Sequence, residues 1–196
     1  MSAAHAYEQL DPRRTALVVV DLVPFFVEQN EYALGVVPHV NTLAAALRDA
    51  GGTVAWVVPA PSRRTAVDTE FYGDEVATTD AASGGSGPVR DRLWHELDVH
   101  DDTDLLVEKA AWSAFFPRRS PLPELLSGRG IDTVLVTGTV TNVCCESTVR
   151  DASTLGYRVV LVADACAAHN DSSAIYGVIH AGGSQTNRCQ KRRSRR

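Results

Sequence analysis

The chain has 196 residues, 44% of them hydrophobic, which suits a single domain with a sizeable core. Its net charge is −5, but six of its 19 basic residues lie after residue 187, so the preceding body is strongly acidic. An acidic body argues against a nucleic-acid-binding protein. No apolar run approaches the ~18 residues needed to cross a bilayer, so we expect no membrane segment.

The cysteines give no sign of a disulfide framework. They stand at positions 144, 145, 166 and 189, without the paired spacings of a small secreted protein. Residues 1–8 also lack the basic and apolar regions of a signal peptide. Together these features predict a cytoplasmic protein.

The first half of the chain predicts two strands and one helix. Thr15–Leu22 is a continuous apolar run, as in a strand buried on both faces of a parallel sheet. Pro38 opens a predicted helix that Gly51-Gly52 ends, and Thr53–Val58 forms the second strand. Residues 59–88 are rich in Pro, Gly, Ser and Thr and predict a long irregular connection.

The second half predicts three more strands and three helices that alternate with them. These elements are the strands Asp104–Glu108, Thr133–Thr137 and Arg158–Ala163, and helices beginning at Ser120-Pro121 and covering Cys144–Leu155 and Ser172–His180. Strands that alternate with helices form βαβ units. We therefore predict an α/β fold, a three-layer α-β-α sandwich with a mostly parallel sheet of five or six strands.

The end of the chain differs from the rest. Residues 181–196 contain no acidic residue and no apolar period, so they predict a basic, flexible tail. Residues 1–180 are then the single folded domain.

Three reactive side chains stand at the ends of predicted strands: Asp21, Lys109 and Cys144. In open α/β sheets, ligands bind at the carboxyl ends of the strands. A carboxylate after a buried strand is costly unless it is paired or used, and Lys109 could be its partner. Each residue also has a purely structural interpretation: Asp21 and Lys109 as an ion pair, and Cys144 as a small buried side chain.

The turn from Gly138 to Cys144 leads from the fourth strand into a helix. The positive end of the helix dipole favours a thiolate at Cys144, and free N–H groups in a first turn can bind an oxyanion. Cys145 instead shares a helical face with Val149 and Ala152, which predicts packing on the sheet. We expect Cys166 and Cys189 to be incidental.

Three motifs in order resemble the isochorismatase-like cysteine hydrolases, which include isochorismatases, nicotinamidases, N-carbamoylsarcosine amidases and ureidoacrylate-type amidases. The motifs are Asp21, Lys109 followed by Ser113-Ala-Phe115, and the series Gly138, Thr141, Cys144 and Ser147. The resemblance runs from about Thr15 to Ala168. It implies a Rossmann-like fold, a homo-oligomer (dimer or tetramer) and no cofactor.

The resemblance also implies roles. Asp21 would be the base, Lys109 would hold the anions, and Cys144 would be the nucleophile. A cis peptide bond would join Thr139 to Val140, so that the N–H groups of Val140 and Cys144 form the oxyanion hole.

The predicted function is therefore a cysteine hydrolase that cleaves a C–N bond of a small amide or carbamoyl compound through a thioester. Its small-molecule substrate would lie among apolar walls, for which the candidates are Phe25, Phe26, Trp112, Phe115 and Phe116. Two alternatives remain open. One is a vinyl-ether hydrolase of the isochorismatase type with Asp21 as the acid, and the other is a non-catalytic thiol sensor or binding protein.

We expect no metal. Nicotinamidases carry an aspartate and histidines after the second strand, whereas this chain has Pro59-Ala-Pro-Ser-Arg-Arg64 there and no histidine between His39 and His95. Arginines cannot ligate a transition ion. EDTA should leave the activity unchanged, and elemental analysis should find no stoichiometric metal. A loss of activity that zinc, iron or manganese restores would contradict this, and His95, His100 and Asp68 would then be tested as ligands.

Overall fold

A computed structural model describes residues 10–28, 30–61 and 65–168. Its centre is a five-stranded sheet in which every neighbouring pair is parallel, with the order β3-β2-β1-β4-β5. The strands are β1 (Thr15–Val20), β2 (Thr53–Pro59), β3 (Leu105–Lys109), β4 (Thr133–Thr139) and β5 (Arg158–Ala167). The predicted parallel sheet of five or six strands is confirmed.

Helices and short turns connect the strands. In the described residues the helices are α1 (Pro24–Val27), α2 (Glu31–Asp49), α3 (Ala66–Tyr72), α4 (Asp74–Ala82), α5 (Val89–Arg92), α6 (Leu122–Gly128) and α7 (Glu146–Thr154). A 3-10 turn covers Pro12–Arg14, and a π-helical turn covers Thr141–Cys145. None of the described helices is both long and apolar enough to cross a membrane.

The layers follow from the alternation of side chains along each strand. In β1, Val18 and Val20 face a cluster that includes residues of α6 and α7, whereas Leu17 and Val19 face a cluster that includes residues of α2. Because both faces are covered, all six residues of β1 are buried. This explains the continuous apolar run and confirms the three-layer sandwich.

Helix α2 begins at Glu31, so the prediction that Pro38 opens it was wrong. The Asn30 side chain caps the helix by accepting a hydrogen bond from the Tyr32 N–H at 3.0 Å. Pro38 lies inside the helix, where it cannot donate a backbone hydrogen bond. Burial of Val37 and Val40 on the sheet stabilises the helix on both sides of the proline.

The connection after β2 is not irregular, because α3 and α4 occupy much of it. A capping box starts α3: the Thr65 hydroxyl accepts from the Asp68 N–H at 3.1 Å, and the Asp68 carboxylate accepts from the Thr65 N–H at 3.0 Å. Four large apolar side chains of this pair of helices stay exposed. Without a buried apolar face, these helices leave no strong periodic signal in the sequence.

The last two strands are longer than predicted. β4 continues to Thr139 and β5 to Ala167, so Cys166 lies within a strand and is buried rather than following it. The predicted helix Ser172–His180, the tail at 181–196 and Cys189 lie outside the described residues.

Gly138 allows the end of β4 to lie close against the end of β1. Its φ is +110°, and a Cβ atom there would lie 2.0 Å from the Val20 carbonyl oxygen. Any side chain would therefore be strained by conformation and blocked by backbone. This close approach brings Thr139 next to Asp21.

We predict that Gly138→Ala lowers the free energy of unfolding by about 3 kcal/mol, because the left-handed backbone and the overlap with Val20 both oppose a methyl group. Urea denaturation measures the change. Gly128→Ala is the control, since a methyl group added at Gly128 would have no neighbouring atom within 4 Å and the backbone there has no positive φ. A Gly138→Ala protein as stable as the Gly128→Ala protein would contradict the prediction.

Candidate active site

The ends of three strands bring Asp21, Lys109 and Cys144 together. Asp21 directly follows β1, Lys109 is the last residue of β3, and Cys144 lies in the π-helical turn after β4. The Lys109 Nζ lies 2.8 Å from the Asp21 Oδ2, and the two side chains are 2% and 0% exposed. The lysine therefore reaches past β2, which separates β3 from β1, to form a buried ion pair.

Asp21 has an unusual backbone. Its φ is +52°, a left-handed conformation that few residues other than glycine adopt. Its N–H donates to the Val57 carbonyl at 2.9 Å, and its own carbonyl accepts from the Thr139 hydroxyl at 2.6 Å. Neither carboxylate oxygen meets a donor with good hydrogen-bond geometry in the described part of the chain, so Lys109 holds the carboxylate mainly by charge, and the Cys144 thiol lies beside it.

Lys109 is fixed at its backbone and at its ammonium group. Its carbonyl accepts from the Ala60 N–H at 2.7 Å, and its Nζ donates to the Ala111 carbonyl at 3.1 Å. Burial lowers the pKa of the Lys109 ammonium, but the nearby Asp21 and Cys144 outweigh it and raise the pKa above its ordinary value. Lys109 therefore supplies a positive charge to the site.

Burial of Cys144 opposes the thiolate that a helix dipole would favour. Burial, and then the Asp21 carboxylate, raise the pKa of the Cys144 thiol well above its usual range. The Lys109 charge and the Val140 N–H act in the opposite direction but are weaker. The helix dipole favours a thiolate, whereas burial and the Asp21 carboxylate favour the neutral thiol, which suits the assignment of Asp21 as the base.

The pKa of the Asp21 carboxyl is shifted in the same direction as the pKa of this thiol. Burial raises the pKa of the Asp21 carboxyl, and Lys109 only partly offsets the effect. A carboxylate with a raised pKa is a stronger base than an exposed one, which suits it to take a proton from a neighbouring thiol.

The turn before Cys144 has a compact backbone. The Thr139–Val140 peptide bond is cis, at the position where the resemblance places one. The Val140 N–H is directed at the Cys144 side chain, and the Val140 carbonyl accepts from the N–H groups of Val143 and Cys145 at 3.0 and 3.2 Å. A backbone donor thus lies beside the sulphur atom.

The neighbouring cysteines belong to the core. Cys145 is fully buried, and its thiol donates to the Thr137 carbonyl at 3.8 Å. Cys166 contacts the Val136 carbonyl at 3.7 Å and interacts with Cys145, so burial and this neighbour raise the pKa of the Cys145 thiol. Cys145, Val149 and Ala152 share one cluster, as their helical spacing predicts.

The aromatic residues proposed as pocket walls lie in three different places. Trp112 and Phe116, 70% and 50% exposed, line a cleft of about 550 Å³. Phe115 is fully buried in the core with its ring 5.1 Å from that of Tyr157, so it is not available to a ligand. Phe25 and Phe26 stack edge to face in α1, which begins three residues after Asp21, and pack against the cluster on the α2 face.

This cleft lies beside the buried side chains of Asp21, Lys109 and Cys144, but none of the three forms part of its lining. Two of its lining residues connect it to these three side chains. Ala111 supplies the carbonyl that binds Lys109, and Ser147 lies one helical turn after Cys144.

Sequence reasoning missed two hydroxyl groups of the site. The Thr139 hydroxyl binds the backbone of Asp21, and the Thr141 hydroxyl is buried without a hydrogen-bond partner in the described residues. Thr141 was recognised only as a motif position. Thr139 gave no signal, because a threonine at the end of a buried strand is common.

Metal ligands are not clustered in the described ranges, which contain no group of three or more His, Cys, Asp or Glu side chains that could hold an ion. The absence of a metal requirement remains a prediction from the residues after β2.

The chain is similar to several known proteins. The Isochorismatase domain profile matches residues 15–180. The uncharacterised isochorismatase family protein YwoC of Bacillus subtilis is 32% identical over 169 residues, which cover 83% of this chain and 82% of that protein. The ureidoacrylate amidohydrolase RutB of an Enterobacter species is 31% identical over 179 residues, which cover 79% of this chain and 75% of that protein. The crystal structure of N-carbamoylsarcosine amidase from Thermoplasma acidophilum matches with a TM-score of 0.70 at 25% identity. The match covers 89% of this chain and 96% of the amidase chain.

We predict that iodoacetamide modifies Cys144 much faster than Cys145. Cys144 lies beside a base and a cation, whereas the Cys145 thiol is fully buried and bound to the backbone of β4. Tandem mass spectrometry of the peptide that contains both residues distinguishes the two sites. Labelling of Cys145 before Cys144 would reverse the assignment.

Proposed function

We propose that this chain, which belongs to the isochorismatase family of hydrolases, is a cysteine hydrolase that cleaves a C–N bond of a small amide or carbamoyl compound. The observation that carries the proposal is the buried contact between Lys109 and Asp21 beside the Cys144 thiol. A nucleophile, a base and a cation at one point are what covalent catalysis requires. The names of RutB and of N-carbamoylsarcosine amidase support an amide or carbamoyl substrate.

In the first step, Asp21 accepts the proton of the Cys144 thiol while the sulphur attacks the carbonyl carbon of the substrate. Because burial raises the pKa of the thiol, proton transfer to Asp21 accompanies the attack. Lys109 stabilises the negative charge of Asp21 before the step and that of the sulphur during it.

The attack forms a C–S bond and turns the carbonyl oxygen into an oxyanion. We assign the N–H groups of Val140 and Cys144 to bind this oxyanion. The direction of the Val140 N–H toward the Cys144 side chain supports the assignment. Donors of this kind contribute about 3–4 kcal/mol each when they are preorganised.

The intermediate then collapses to a thioester. The C–N bond breaks, and Asp21 returns its proton to the departing nitrogen, which leaves as ammonia or an amine. Water next attacks the thioester and gives a proton to Asp21, the C–S bond breaks, and Asp21 passes the proton to the sulphur. Each cycle therefore consumes one water molecule and restores the thiol.

We place the body of the substrate in the cleft beside Trp112 and Phe116. Exposed aromatic rings suit the apolar part of a small molecule, and Arg119, Ser113 and Ser147 in the same lining offer polar contacts. Phe25 and Phe26, close in sequence to Asp21, remain candidates for a second wall. A homo-oligomer, a cytoplasmic location and the division into residues 1–180 and a basic tail remain predictions.

A panel of small amides and carbamoyl compounds, read by ammonia release, tests the proposal. At least one compound should be hydrolysed, and Cys144→Ala should lower kcat at least about 1000-fold because it removes the nucleophile. Cys145→Ala is the matched control, since it deletes the adjacent thiol from the core, and it should keep most of the activity.

The same variants distinguish the alternatives. Full activity of Cys144→Ala on a vinyl ether, with loss in Asp21→Asn, would favour ether hydrolysis by Asp21 acting as an acid. Reversible peroxide oxidation of Cys144 without turnover of any compound would favour a thiol sensor. Either result would contradict the proposal.

A further inference from the structure

The Thr139 hydroxyl connects the end of β4 to the backbone of Asp21. Thr139 is 1% exposed, and its Oγ1 donates to the Asp21 carbonyl at 2.6 Å. From the other side of β1, the Val57 carbonyl in β2 accepts from the Asp21 N–H at 2.9 Å. The two strands beside β1 thus hold both backbone polar groups of this one residue.

This connection matters because the Asp21 side chain has little else to orient it. Its carboxylate lies 2.8 Å from the Lys109 Nζ and beside the Cys144 thiol, but neither oxygen meets a donor with good hydrogen-bond geometry in the described residues. Contacts without good hydrogen-bond geometry tolerate several directions, so the backbone helps to set where the carboxylate points. That backbone has a φ of +52°, a left-handed conformation that is uncommon for residues other than glycine, although aspartate tolerates it better than most.

We propose that Thr139 is a positioning residue: its hydroxyl holds Asp21 in the left-handed conformation that directs the carboxylate at Lys109 and Cys144. The inference rests on the proposed function, since it assigns Thr139 an effect on proton transfer through Asp21. Thr139 itself touches neither the reacting atoms nor the cleft lining described above.

A purely structural role would apply equally to Thr137. Thr137 is fully buried, lies two residues earlier in β4, and directs its hydroxyl at the Val18 carbonyl of β1 at 3.5 Å. Both threonines therefore direct a buried hydroxyl at β1. Only the carbonyl that Thr139 binds belongs to Asp21, which makes Thr137→Val a matched control.

The experiment compares Thr139→Val, Thr139→Ser and Thr137→Val with the wild type. On a compound found by the ammonia panel, Thr139→Val should lower kcat about 10- to 100-fold with little change in KM, the size expected when a catalytic group is displaced. The acid limb of its kcat/KM profile should move to higher pH, because a displaced Asp21 loses the Lys109 charge that lowers its pKa. Thr139→Ser should restore both quantities, and Thr137→Val should match the wild type.

A second readout needs no substrate. The pH dependence of Cys144 alkylation by iodoacetamide should change in Thr139→Val and stay unchanged in Thr139→Ser and Thr137→Val. If the wild type hydrolyses no amide, the proposed function fails, while this alkylation profile still decides the role of Thr139. Should Thr139→Val not fold, Thr139→Ala removes the hydroxyl without adding an apolar methyl group against the carbonyl.

Two results would overturn the inference. One is a hydroxyl-free Thr139 variant with wild-type kcat, pH profile and alkylation profile. The other is a Thr137→Val protein with the same defect as Thr139→Val, which would show that loss of any buried hydroxyl on β4 produces the effect.

Discussion

Asp21 and Lys109 carry opposite charges at 2.8 Å in a place from which water is almost wholly excluded. Burying two charges costs several kcal/mol for each ion, and the attraction between them offsets this only when they stay in contact. The pair joins the ends of β1 and β3 across β2, so it requires the register of all three strands. The parallel sheet, the bond from Ala60 to the Lys109 carbonyl and the backbone of Asp21 all serve to keep this contact.

The same exclusion of water governs the thiol. Burial favours the neutral forms of both Cys144 and Asp21, so their pKa values rise together. One fixed cation, Lys109, then stabilises whichever of the two groups is negative. A proton can move from sulphur to carboxylate without a change in the net charge of the site, which limits the cost of moving charge in a poorly solvated place. A dipole acting on an exposed cysteine would work differently, by keeping a thiolate at rest.

Much of the fold could be predicted because burial leaves a pattern. The apolar runs at β1 and β2 and the alternation of strands with helices indicated the parallel sheet, and parallel strands place their carboxyl ends at one edge. Asp21, Lys109 and Cys144 were recognisable for this reason. The start of α2 was missed because Pro38 was taken as the first residue of the helix, and α3 and α4 were missed because exposed helices lack a strong apolar period.

The order of Asp21, Lys109 and Cys144 along the strands places all three at one edge of the sheet, so the sequence was enough to show which side chains could meet. How they behave there follows from the packing of the folded chain. Whether Cys144 is a thiol or a thiolate depends on how far water reaches it, and water exclusion is a property of the packed layers rather than of local spacing. The direction of the Asp21 carboxylate likewise depends on a strand more than a hundred residues away in the chain. In that strand Thr139 binds the Asp21 carbonyl, and Gly138 lies against Val20, the residue before Asp21. Contacts between such distant segments exist only after folding.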